Sequence, residues 1–168
     1  MAIIKLVESD YLNEYAVYNV IYYIIGSPYL IYSGYMALPY PYTSRNIEET
    51  ALVMKNAFEC VRHVYNKDSE KKRLLEHVVI GFEPGECITT FDAEDIAWKI
   101  AGFIGQRFQT VYGVHKGSHN NTDYMHIHMA VNRISYVDGK RFYETKGEMA
   151  EILEFAKSIR SDLEWRSA

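Results

Sequence analysis

The run from Tyr124 to Val137 constrains the fold most, because it reads as the longest strand in the chain. Side chains alternate across a strand, so His126 and His128 share one face while Ile127 and Met129 point the other way, into a core. Asn132 falls on the histidine face and Arg133 on the opposite one. Asp138-Gly139 then gives a two-residue hairpin signal, and Lys140 to Tyr143 is expected to return antiparallel.

The remaining elements are both helical and extended. Ala2 to Val7 and His77 to Phe82 read as strands, as does Thr110 to His115. Asp10 to Ile25 reads as a helix capped by Ser9 and stopped by Gly26, Ser27 and Pro28. Residues 29–44, punctuated by Pro39 and Pro41, read as strand-like or irregular. Asn46 opens a second helix with Glu49 placed as in a capping box, and Ile47, Ala51, Met54, Phe58, Val61 and Tyr65 form its buried face. Residues 66–73 read as a charged loop. Asp92 is expected to cap a third helix with Ile96, Ile100 and Ile104 inward. Met149, Ile152, Leu153, Ala156, Ile159 and Leu163 mark a last one. With no repeat or linker, residues 1–168 read as one α+β domain, a central antiparallel sheet with helices packed on one face.

Composition narrows the class further. The chain has 168 residues, 48% of them hydrophobic, enough for one real core and against disorder. No apolar run reaches the ~18 residues that a membrane span needs. The first residues lack the pattern of a secretory signal, so the cytoplasm is the expected compartment. Cys60 and Cys87 match no metal or redox spacing and are expected to be buried free thiols. The net charge of −4 argues against coating nucleic acid through bulk charge. The balance is uneven, however: the stretch from Arg107 to Lys146 carries +3 and the rest −7, which leaves room for one local groove along a phosphate backbone. Fifteen tyrosines serve packing or base stacking, and composition does not separate the two.

His126-Ile127-His128 carries the chemistry. Imidazoles two apart on a strand stand about 6.6 Å apart along it, close enough to share one ion. Alone, the pattern is as easily a solvated strand face. A third imidazole changes that balance: His115 ends the preceding strand, and pairing of the two strands brings it alongside, with His119 in the intervening loop as its rival. Three neutral histidines leave positions open on a metal, as catalysis requires. An all-histidine set suits manganese, cobalt, nickel or zinc better than magnesium. Asp123 is placed either to orient a ligand through its second nitrogen or simply to form a turn.

Three motifs resemble one family. Val-Tyr-Gly-Val-His (111–115), Thr-Asp-Tyr-Met-His-Ile-His-Met-Ala-Val-Asn-Arg (122–133) and Asp-Gly-Lys (138–140) resemble the relaxase or mobilisation nucleases, within the histidine-hydrophobe-histidine endonucleases. His-Val-Val-Ile-Gly-Phe-Glu-Pro-Gly-Glu (77–86) resembles their second motif, and Val-Ile-Tyr-Tyr-Ile (20–24) the first. The resemblance implies an antiparallel sheet on a ferredoxin-like plan. It implies site- and strand-specific DNA nicking at a transfer origin with a covalent 5′-phosphotyrosyl intermediate. By position it implies His115, His126 and His128 as ligands of one divalent ion, Glu86 as the acidic residue of the second motif, and Tyr23 as nucleophile. Tyr22 is the adjacent alternative, with Tyr18 and Tyr29 further off. The implied partners are single-stranded DNA at the origin, accessory mobilisation proteins and a coupling protein.

Lys116, Arg133, Lys140 and Arg141 are candidate DNA contacts, or else a solvated face. The lysine that many relatives carry after the tyrosine is replaced here by Gly-Ser-Pro-Tyr. Other readings are a rolling-circle initiator or single-strand transposase with the same metal motif, and a catalytically inactive DNA-binding relative. Tyrosines downstream of His126 and His128 would favour the former pair; the last helix has none.

Overall fold

A computed structural model describes residues 1–38, 46–118, 121–142 and 147–168, with the backbone alone at 118 and 121–123. The described elements run β1 (Ala2–Leu6), α1 (Glu14–Gly26), β2 (Leu30–Met36), α2 (Ile47–Val64), β3 (Leu75–Phe82), α3 (Thr90–Gly105), β4 (Thr110–Ser118), β5 (Asn121–Asn132), α4 (Glu148–Ile159) and β6 (Trp165–Ser167). The strands form one sheet in the order β2-β4-β5-β3-β1-β6. All pairings are antiparallel except β1 with β6. The α+β class follows, with the twelve-residue β5 between β4 and β3.

Helices cover both faces of this sheet, not one. On β5, Met125, Ile127, Met129 and Val131 join a core with Ile96, Ile100 and Ile104 of α3 and Ile152 of α4. Ala130 points the other way and meets Val17, Ile21 and Ile24 of α1 and Met54 and Phe58 of α2. Strand alternation produces this, since every strand between two helical layers must offer an apolar set to each. Further along the same face, under the last turn of α1, β4 and β5 carry His115, His126 and His128 in place of aliphatic residues.

Several element ends differ from the sequence expectations. Helix α1 begins at Glu14, because Asn13 and not Ser9 caps it, its side chain accepting from the Ala16 amide at 2.9 Å. Thr89 caps α3, and Asp92 closes the capping box from the third position. At α2 the Asn46 side chain accepts from the Glu49 amide at 3.2 Å. β5 ends at Asn132, because Ser135 Oγ takes the amides of Val137 and Asp138 and curls the chain. The expected return strand is reduced to one bridge between Ile134 and Arg141, and Tyr143 lies outside the described residues. Leu163 packs beyond the end of α4, and the short β6 had no signal in the sequence. Cys60 and Cys87 are both exposed, contrary to the burial expected of them. No described helix is long and apolar enough to cross a membrane.

Candidate metal centre and facing tyrosine

β4 and β5 build the centre from their register. His115 pairs directly with His126, and His128 lies between Gly113 of β4 and Val79 of β3. All three imidazoles therefore rise from one face of adjacent strands. Each offers a nitrogen within 4.8 Å of the others, and all three side chains are buried. Ring centroids are separated by 4.8–5.4 Å.

Hydrogen bonds fix what each ring presents. Nε2 of His115 lies 2.9 Å from the carbonyl oxygen of Ile24. A carbonyl only accepts, so neutral His115 carries its proton on Nε2 and its lone pair on Nδ1. Ile24 is in the last turn of α1, so the same bond satisfies a carbonyl that the helix itself leaves open. Nδ1 of His115 and Nδ1 of His126 are buried with no partner among the described residues. Unpartnered buried nitrogens are costly unless a ligand takes them. Three neutral imidazoles that bring one nitrogen each within 4.8 Å of the others fit one divalent cation of the softer kind.

Burial also keeps the rings neutral. It pushes His128 down to about 2, aided by the mutual repulsion of His77, His115 and His126 and by the charge of Lys5. His115 and His126 are lowered first by burial as well, against backbone bonds at Ile24 and Tyr124. A metal would thus meet ligands that need shed no proton at neutral pH.

Tyr23 faces this group. Its hydroxyl lies 3.5 Å from Nε2 of His128, and its ring meets His115 and His128 edge-on at 5.6 and 5.1 Å. Burial raises the Tyr23 pKa, with a further push from Tyr29. Tyr22 is one helical step round, stacked on Tyr18 at 6.0 Å, away from the imidazoles. The approach of α1 depends on Gly113: a Cβ there would stand 2.7 Å from the Ile24 carbonyl oxygen.

Other expected residues lie further off. The Glu86 carboxylate binds the N-terminal ammonium of Met1, and no described contact joins it to the imidazoles. Arg133 pairs with the buried Glu76 at 3.0 Å, and Arg141 pairs with Glu70. Lys140 is exposed beside Asp138, at 3.6 Å. Arg133 directly follows the end of β5, five residues from His128, so it stands about 17 Å along the strand at ~3.4 Å per residue. Lys116 is exposed and alternates onto the face opposite His115. Asn132 is buried and donates to Phe58 O and Gln109 Oε1. His119 and the side chain of Asp123 lie outside the described residues.

Four neighbours escaped the sequence reading. His77 on β3 places Nε2 2.9 Å from Nδ1 of His128, and Tyr11 places its hydroxyl 3.2 Å from Nδ1 of His77. Tyr124 stacks on His126 at 4.8 Å and 19°, its hydroxyl lying over Gly81, where a Cβ would stand 2.5 Å away. Lys5, paired in register with Val79, is exposed on the histidine face. In the sequence His77 is the first residue of a strand and of the run 77–86 that resembles the second motif; its approach to His128 depends on β3 pairing with β5, which no local pattern encodes.

The α+β sheet thus presents three buried imidazoles, a group able to hold a metal ion, to one phenol. Comparison with known proteins gives a nuclease family. The family described as "Relaxase: MobA/VirD2-like, nuclease domain" matches residues 41–165, and the chain belongs to it. That match includes His115, His126, His128 and Glu86, while Tyr22 and Tyr23 precede it. Among curated proteins, "Protein rlx" of Staphylococcus aureus is 31% identical over 100 residues, covering 58% of this chain and 28% of that protein. The chain thus spans less than a third of that relative's length. No solved structure matches.

Proposed function

We propose that this domain nicks one strand of DNA by transesterification at a transfer origin, with Tyr23 as nucleophile. The carrying observation is the approach of the Tyr23 hydroxyl to Nε2 of His128, at the rim of the imidazole group. Family membership supports DNA nicking in mobilisation as the activity.

His115, His126 and His128 would hold one divalent ion. When bound, it supplies positive charge to the scissile phosphate and to the phenol beside it. The chain's own residues do the rest. Tyr23 Oη attacks phosphorus, the bond to the 3′ oxygen breaks, that oxygen takes up a proton, and the 5′ side remains esterified to the tyrosine. The phenol gives up its proton on attack. Free phenol is ionised to only ~0.1% at neutral pH. Burial raises the Tyr23 pKa further, so a cation held by the three neutral imidazoles would ease loss of that proton. The ester conserves the energy of the broken bond, so rejoining needs no nucleotide cofactor.

For the DNA, Tyr18 and Tyr22 form a stacked aromatic surface on α1. Lys5 is the described cation whose field reaches His77 and His128, and it is suited to a phosphate near the centre. Arg133 and Arg141 are already engaged by carboxylates, which makes them weaker candidates than Lys5. Accessory mobilisation proteins and a coupling protein would complete the machinery in the cell.

The test is a suicide assay with single-stranded origin DNA and manganese. A denaturant-resistant protein–DNA band is expected from the native chain and not from Tyr23→Phe. No band from the native chain, over all origin segments of its element, would leave a DNA-binding relative without catalysis.

A further inference from the structure

Tyr11 and His77 take no part in the chemistry above, yet they lie directly behind it. His77 is buried and its two ring nitrogens are both occupied, Nε2 by His128 Nδ1 at 2.9 Å and Nδ1 by the Tyr11 hydroxyl at 3.2 Å. A neutral imidazole that offers Nε2 to a cation must carry its proton on Nδ1. For His128 that proton has one acceptor, Nε2 of His77. His77 then carries its own proton on Nδ1 and donates it to the Tyr11 oxygen. The direction of the whole chain follows from the demand at one end.

The backbone holds this chain in place. His77 pairs with Ala130 and Val79 with His128, so the two imidazoles are diagonal neighbours across β3 and β5. Tyr11 has φ 36°, a conformation that a bulky residue adopts only when its surroundings impose it. The Leu74 amide, just before β3, donates to the Tyr11 carbonyl at 3.0 Å and fastens that turn.

We infer that His77 and Tyr11 are positioning residues, which fix the tautomer and orientation of His128 so that its Nε2 stays open to the metal. His115 obtains the same service from the Ile24 carbonyl, whereas among the described residues the partner of His128 Nδ1 is the His77 imidazole. This rests on the cation-binding reading of the three imidazoles.

Calorimetric titration of the full chain with zinc and with manganese tests it. Loss of an outer hydrogen-bond partner typically weakens metal binding about 10–100-fold, and that loss is expected for His77→Leu. His77→Gln keeps an acceptor oxygen and should return affinity to within about threefold of native. Tyr11→Phe should weaken binding by a smaller factor, about two- to fivefold. In the zinc-loaded native chain, nitrogen NMR should find the His128 proton on Nδ1. A folded His77→Leu with native affinity overturns the inference, as does a His128 proton on Nε2. Should His77→Leu fail to fold, the decision passes to Tyr11→Phe and His77→Gln: loss with the first and retention with the second support it, and any other pattern overturns it. A native chain that binds neither ion overturns the cation site itself, a result distinct from binding that survives in the variants.

Discussion

Nε2 of His115 donates to the carbonyl of Ile24 at 2.9 Å, so one hydrogen bond ties the middle of the sheet to the residue that follows Tyr23. It sets the tautomer of His115 and closes the last turn of α1 above the histidines. The His115 imidazole and the Tyr23 phenol are thereby held to one frame.

Gly113 is what allows that contact. A methyl group there would press on the Ile24 carbonyl at 2.7 Å and its side chain at 3.0 Å. Gly113→Ala should cost about 1–3 kcal/mol in denaturant unfolding, the range for overpacking a tight contact. Adduct formation should fall more steeply than stability, because displacing α1 moves Tyr23. Native yield from this variant would show that helix placement does not control the phenol.

The two adjacent tyrosines should separate cleanly. Tyr23→Phe is expected to abolish the covalent adduct while single-stranded DNA affinity stays within about twofold, since one hydroxyl is a small part of a stacking and phosphate interface. Tyr22→Phe keeps the ring that stacks on Tyr18 and should leave the adduct intact. The reverse result would move the nucleophile to Tyr22.

Acid should destabilise the metal-free protein. His77 is pushed down from 6.5 to about 4 and His128 to about 2, in both cases mainly by burial. Between pH 6.5 and about 4 the unfolded chain binds protons that these rings refuse when folded, so stability rises with pH across that window. The contribution is complete above pH 6.5 and is lost as pH falls, by up to about 1.4 kcal/mol per unit for each ring. Denaturant midpoints from pH 8 to pH 5, with chelator present, would show it; a flat profile would mean that the rings are more hydrated than their burial indicates.

Ligand removal should act on metal and nicking together. His126→Ala and His128→Ala are each expected to lose calorimetric zinc binding and the DNA adduct, and chelation should do the same reversibly. Full adduct yield from either variant would detach the chemistry from this group.

Charge substitutions should sort by location. Lys5→Gln should weaken single-stranded DNA binding and reduce the slope of log K against log salt by about 0.7, the value of one phosphate contact. Arg133→Ala exposes no new binding effect on this view but strips one partner from Glu76, which is 1% exposed. Its cost should be on the order of 2 kcal/mol, below that of a fully stranded buried carboxylate because Arg73 still approaches Glu76 at 3.3 Å. A salt slope altered by Arg133→Ala and not by Lys5→Gln would reverse these assignments.

What the sequence determined by itself was local. The alternation of β5 puts His126 and His128 on one face and Ile127 and Met129 on the other, because backbone geometry allows no other arrangement in a strand. The α+β class and the family resemblance were legible from such local patterns, and so were Ala51, Met54 and Phe58 of the expected α2 face; Ile47 of that face is exposed, Val61 and Tyr65 are half-buried, and Arg62 is buried instead. Element ends were read less well, since Asn13, Thr89 and Ser135 compete for amides in ways that propensity does not rank. Only the tertiary structure decided that helices cover both faces, that Tyr23 and not Tyr22 turns toward the imidazoles, and that His77 and Tyr11 stand behind His128. It also decided that Arg133 and Arg141 meet carboxylates. Those outcomes depend on strand register and on how closely α1 approaches Gly113, and both are sums of many contacts between residues far apart in the chain.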